Sequence, residues 1–121
     1  EGVFLWDELL ADDVEGARQF YGRVLGWRGE DAGEDYAVMY ADDHAVAGVT
    51  QRPAEVTRST WLTYVGTEDV DIAVSRVREL GGQAADPMPV PGMGWFSTCT
   101  DPQGNEFGLW QNDEAAATPE M

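Results

Sequence analysis

The chain contains no lysine: all seven of its cations are arginine, set against 23 aspartates and glutamates, for a formal charge of −16. Such a surface repels phosphate backbones, which argues against nucleic acid as a partner. Solubility, adaptation to salt and attraction of cationic small molecules all fit this acidity, and charge alone does not choose among them. The single cysteine, Cys99, cannot form an internal disulfide, so no oxidising compartment is implied. It lies in an alternating apolar-polar run and reads as a packed strand thiol, because a nucleophile needs a base and the only histidine is His44. His44 falls in a turn beside Asp42 and Asp43, with no paired nucleophile to make a hydrolytic triad. No apolar run approaches the roughly 18 residues of a membrane span. No basic-then-apolar leader is present either, so the expectation is a soluble, cytoplasmic protein with no membrane partner. Phosphate loops, dinucleotide fingerprints and zinc spacings are also missing.

What the chain does have is a repeat. Leu10-Ala11-Asp12-Asp13-Val14-Glu15 returns 56 residues later as Gly66-Thr67-Glu68-Asp69-Val70-Asp71. Each copy opens a helical pattern ending in Leu-Gly, at Leu25-Gly26 and Leu80-Gly81. Two copies of this length point to one domain of two pseudo-equivalent halves rather than a solenoid. In the first half, residues 3–10 alternate as a strand, with Leu5, Asp7 and Leu9 on one face and Phe4, Trp6, Glu8 and Leu10 on the other. Asp12 or Asp13 caps a helix whose apolar stripe is Val14, Ala17, Tyr21 and Val24, widened by Phe20 and Leu25. Gly26 suits a left-handed stop. Strand-like stretches follow at 27–30, 36–41 and 45–51.

The second half repeats this grammar. A strand at 61–66 leads into a helix capped by Thr67 or Asp69, with Val70, Ala73, Val74, Val77 and Leu80 on its buried face. Residues 86–94, with three prolines and two glycines, read as a loop; 95–100 and 106–111 read as a hairpin. The fold expected is therefore α+β. Two βαβββ modules, about residues 3–51 and 61–111 joined by a linker at 52–60, form a curved mixed sheet around a cavity, with helices on the outer face. A frayed tail occupies 112–121.

Two phrases carry a family resemblance. Asp13-Val14-Glu15-(x)4-Phe20-Tyr21-(x)3-Leu25-Gly26 and Asp101-Pro102-Gln103-Gly104-Asn105 resemble the helix signature and closing hairpin of the vicinal oxygen chelate superfamily, the glyoxalase/bleomycin-resistance/extradiol-dioxygenase fold. The resemblance covers about residues 3–111 and implies a homodimer. It also implies four positions for divalent-metal ligands, two on opening strands and two on closing strands. These fall on Trp6, Leu62, Gly48 and Gly108. None offers a side-chain donor, whereas such metals need imidazole or carboxylate ligands at about 2.0–2.2 Å. The only nearby substitutes are Glu8 and Glu106, with His44, so neither metal nor cofactor is expected.

The expected binding wall is aromatic instead. Trp6, Glu8, Leu10, Leu62, Tyr64, Gly48, Gly108 and Trp110 are the candidate ligand contacts, with the two glycines leaving room for a flat ligand. Trp27, Trp61 and Trp95 read as packing residues. Burying one large ring removes about 150–250 Å² from water, worth about 4–6 kcal/mol. A small-molecule ligand, planar and aromatic, with Glu8 holding a cationic group, is the first expectation and matches the antibiotic-sequestering members that the chain resembles. Two alternatives stay open. One is a metal-free isomerase, cyclase or lyase using Glu8 or Glu106 as general base. The other is a metal-dependent glyoxalase- or dioxygenase-type enzyme with displaced ligands.

Overall fold

The structure, a computed structural model, describes residues 2–54 and 56–113. The described residues form two helices and nine strands, an α+β arrangement with mixed pairing. They divide into two compact units, one running from Trp6 to Leu62 and the other from Thr63 onward together with the first residues up to Leu5.

In the Trp6–Leu62 unit, β1 (Phe4–Ala11) leads to α1 (Val14–Leu25) and then to β2 (Arg28–Asp31), β3 (Tyr36–Ala41) and β4 (His44–Gln51). The strand order is β2-β3-β4-β1, antiparallel except for the parallel pair β1·β4. Asp13 caps α1 by accepting a hydrogen bond from the Gly16 amide at 3.0 Å, and Gly26 ends it at φ 75°. There the absence of a Cβ is what lets the chain turn left-handed. The alternation of β1 holds: Leu9 and Ala11 join Met39 and Val49 in a core against which Val14, Ala17 and Tyr21 of α1 pack. The stripe on α1 is narrower than its periodicity suggests, because Phe20, Val24 and Leu25 are exposed. Asp7, on the helix-facing parity of β1, is also exposed. Arg18 ties α1 to β2, through Asp31 at 2.6 Å and the Gly29 carbonyl at 3.2 Å.

The second unit follows the same plan with β5 (Thr60–Gly66), α2 (Val70–Glu79), β8 (Gly94–Thr100) and β9 (Glu106–Asn112). Here β5 runs parallel to β9 and β9 antiparallel to β8. Asp69 caps α2, accepting from the Ile72 amide at 3.1 Å. Val70, Val74, Cys99 and Leu109 make the core, with Ala73, Val77 and Phe107 against it. Leu80 does not join them; it caps the helix and is 76% exposed. Burial pushes the Cys99 thiol above its ordinary range, which fits a packing role. The Asp-Pro-Gln-Gly-Asn phrase is a turn lock: Asp101 accepts from the Gln103 and Asn105 amides, each at 2.9 Å, and from the Asn105 side chain at 3.0 Å. The Asn105 bonds hold the Asp101 carboxyl below its usual range.

Two expectations need correction. The stretch 86–94 is not all loop, since β6 (Gln83–Ala84) is followed by β7 (Met88–Val90), and both pair with β8. The presumed tail begins later than residue 112, because Asn112 closes β9 and the Asp113 amide bonds the Met93 carbonyl at 2.9 Å. The rest of that segment, 114–121, lies outside the described residues.

Candidate functional site

In the Trp6–Leu62 unit the strand register places Glu8 of β1 beside Gly48 of β4, and Gly48 in turn beside Val38 of β3. Tyr36 stands two residues from Val38, on the same face. Its side chain reaches diagonally across Gly48 toward Glu8. A methyl group built on Gly48 would collide with Tyr36 Oη and would lie 2.8 Å from Cζ and 3.1 Å from Glu8 Oε2. The phenol and the carboxylate therefore meet above one α-carbon, and glycine at 48 is the condition for it. The Tyr36 pKa is pushed up to about 12, first by burial, then by the negative charge of Glu8 and the hydrogen bond to it. A hydrogen bond from the Trp6 side chain pulls weakly the other way. The phenol thus has the Glu8 carboxylate as its main polar neighbour and the Trp6 side chain as a second, weaker one.

The second unit holds the counterpart. Tyr64 of β5 sits beside Gly108 of β9, and Gly108 beside Thr98 of β8. A methyl on Gly108 would collide with the Tyr64 ring, with Cγ at 3.1 Å. The edge of that ring meets Phe96 at 6.4 Å and 85°. Leu109 and Phe107 pack toward α2, so Glu106, Gly108 and Trp110 occupy the opposite face of β9. Trp110 lies over Gly94, with Cζ2 2.8 Å from a methyl built there, and donates its indole N–H to Asn112 at 2.7 Å. Glu106 is half-buried, and its Oε1 is buried with no hydrogen-bond partner among the described residues.

The structure thus brings together Trp6, Glu8 and Gly48 in one unit, and Tyr64 and Gly108 in the other. Leu10 and Leu62 are buried, at 5% and 1% exposure, as is Tyr64 at 9%. The space expected above the two glycines is taken by the protein's own side chains, Tyr36 and Tyr64. Tyr36 and Phe96 are the residues that sequence reasoning missed. Their signal was the register, which places each two residues from the neighbour of a closing-strand glycine. Each unit also has an open cleft elsewhere. One, of about 390 Å³, is lined by Asp12, Glu15, Arg18, Asp31, Asp35 and Tyr36 among others. The second, of about 370 Å³, runs along α2 past Asp69, Ile72, Arg76 and Leu80. Neither contains any of the eight candidate contacts.

The superfamily's metal positions do not fit a metal here. Trp6 and Leu62 have no donor suited to a divalent ion, and at Gly48 and Gly108 a tyrosine covers the α-carbon from which a ligand would have to grow. Among the described residues no three of histidine, cysteine, aspartate and glutamate converge as a metal group. His44 is exposed at the start of β4.

Residues 5–110 match the family described as a glyoxalase-like domain. The chain belongs to this family. It is a member of the vicinal oxygen chelate superfamily, as its helix signature and hairpin imply. Among curated relatives it is 33% identical over 113 residues to "Putative glyoxylase CFP32" of Mycobacterium tuberculosis, covering 89% of this chain and 43% of that protein. It is 32% identical over 115 residues to the anthracycline biosynthesis protein DauV of a Streptomyces species, covering 91% of this chain and 42% of that one. The chain therefore spans less than half the length of the curated relatives it matches. Among solved structures, the manganese-bound glyoxalase of Novosphingobium aromaticivorans aligns with a TM-score of 0.60 at 18% identity, covering 91% of this chain and 38% of that one. Homoprotocatechuate 2,3-dioxygenase of Brevibacterium fuscum aligns at 0.62 and 23%, covering 90% and 36%. At these identities the structural likeness concerns the fold alone.

Proposed function

We propose that this glyoxalase-like domain binds a small molecule without a metal, and that its ligand is a planar aromatic compound bearing a cationic group. The observation that carries the reading is the chain of Trp6, Tyr36 and Glu8 over Gly48. It sets an indole and a carboxylate around one phenol, at a place where the superfamily keeps metal ligands. A ring can stack on the indole while an ammonium group donates a charge-assisted hydrogen bond to the carboxylate. The likeness to proteins named for anthracycline biosynthesis supports this chemistry, since an anthracycline is a flat fused-ring quinone carrying an amino sugar. Within the Trp6–Leu62 unit the proposed contacts are Trp6 and Glu8; Tyr64 and Trp110 are proposed aromatic contacts of the other unit. The chain is expected to be a homodimer, which light scattering would measure.

Titration with an amine-bearing anthracycline, followed by tryptophan fluorescence, tests the reading. Saturable quenching that is unchanged by a chelator and weakened in Trp6→Phe is expected. Absence of quenching, or quenching that needs added manganese, iron, zinc or nickel, would remove it.

A second reading has its own observation. Glu106 Oε1 is buried and lacks a hydrogen-bond partner among the described residues, which is how a carboxylate waiting for a substrate proton would stand. On that reading the domain is a metal-free isomerase, cyclase or lyase. Turnover lost in Glu106→Gln with ligand affinity retained would favour it, and no turnover of any tightly bound ligand would dispose of it.

A further inference from the structure

Of the two tyrosines that cross a glycine, Tyr36 brings its hydroxyl to the Glu8 carboxylate. The parallel register sets Glu8 beside Gly48, and the antiparallel register brings Tyr36 in from the other side. Tyr36 Oη and Glu8 Oε2 are both nearest neighbours of the space a Gly48 side chain would fill. A phenol has one proton to donate and lone pairs to accept with. Facing Glu8, the phenol donates to the carboxylate, and the Trp6 side chain is a second, weaker neighbour of the same oxygen.

We propose that Tyr36 is a specificity-determining residue of the Glu8 site: by donating across Gly48 it fixes the carboxylate in place and selects ligands that present an ammonium group. This rests on the ligand reading given above and adds the residue that sets its selectivity. A tyrosine is neutral throughout the physiological range, and Tyr36, shifted further upward, is no exception, so the donor is always present. A carboxylate held in this way meets an ammonium group without first having to be ordered, which lowers the entropic cost of binding. Ligands bearing a carboxylate or phosphate in that position meet like charge and are disfavoured.

The test uses the intact chain and two probes, an anthracycline with its amino sugar and the same ring system without the sugar, each titrated by tryptophan fluorescence. The wild type should bind the amino-sugar probe at least about tenfold more tightly, the scale of one charge-assisted hydrogen bond. In Tyr36→Phe this ratio should fall toward two- or threefold while affinity for the sugar-free ring is kept, and Glu8→Gln should abolish it. Gly48→Ala keeps both Tyr36 and Glu8 but drives the phenol aside, so it should lower the ratio as Tyr36→Phe does, giving a second route should either variant fail to fold. A purely structural Tyr36 would weaken both probes alike and leave their ratio unchanged, and that result would overturn the proposal. Equal binding of the two probes by the wild type would also overturn it while leaving the small-molecule reading intact. If neither probe binds, the reading itself fails, and this inference fails with it.

Discussion

The two halves of this chain build the same device and fill it differently. In each, a glycine on the closing strand lies beside the opening strand, at Gly48 next to Glu8 and at Gly108 next to Tyr64. An aromatic residue of the neighbouring antiparallel strand comes in from the other side, Tyr36 in the first half and Phe96 in the second. Where the first half pairs a phenol with a carboxylate, the second sets ring against ring. A duplicated backbone therefore fixes where side chains meet but leaves their chemistry free. In both halves the bulk of a tyrosine covers the glycine of the closing strand.

The comparison can be broken first through the cores, where the largest effects are expected. Met39→Ala in the first core and Leu109→Ala in the second should each cost about 2–5 kcal/mol in urea unfolding, since both remove buried volume. A much smaller loss in one of them would show that the halves are not equally well packed.

Next come the two glycines. Gly108→Ala should cost about 1–3 kcal/mol, because the atoms it meets belong to the near part of the Tyr64 ring, which has little room to swing. Gly48→Ala meets the far end of Tyr36, which can move aside, so it should cost less than Gly108→Ala, about 1 kcal/mol or below, the scale of one net hydrogen bond. Its main effect should be on ligand selectivity. A larger loss for Gly48→Ala than for Gly108→Ala would contradict the view that Tyr36 can move aside and Tyr64 cannot.

Smaller still are the caps. Asp13→Ala and Asp69→Ala should each cost about 1 kcal/mol, because each carboxylate accepts one otherwise orphaned amide of its helix. Matching losses in chemical denaturation would confirm that the repeat is kept at this level.

The last difference is visible only in alkali. The folded chain holds the Tyr36 proton up to about pH 12, while an unfolded tyrosine releases it near its ordinary value of 10.0. Between those values the unfolded state binds fewer protons, so stability falls as pH rises, and the contribution is fully present below pH 10. Tyr36→Phe should flatten that slope, as followed by denaturant midpoint against pH, whereas Tyr64→Phe should leave the Tyr36 contribution in place.

Much of this was legible in the sequence. The helix starts at Asp13 and Asp69, the alternation of β1 and the closing hairpin were all fixed by local chemistry: caps, period-two patterning and an Asp-Asn turn. Strand β7 was hidden by its prolines, which usually exclude a strand interior. Pro89 is tolerated because, among the described residues, β7 pairs with β8 alone, leaving its other edge without a ladder to complete. The exposed Phe20, Val24 and Leu25 show the limit of periodicity, which counts apolar residues on a helix but not the width of the sheet beneath. Tyr36 was illegible for a related reason. Alternation gives the face of a strand residue, but which residue crosses a glycine depends on register, and β3·β4 shifts register between Met39 and Tyr40.

Native mass spectrometry of the intact chain, mixed with both manganese and an amine-bearing anthracycline, tests the central claim most directly. The account predicts a stoichiometric organic adduct carrying no metal, weakened in Glu8→Gln. A stoichiometric manganese adduct that is lost in Glu8→Gln or Glu106→Gln would contradict it.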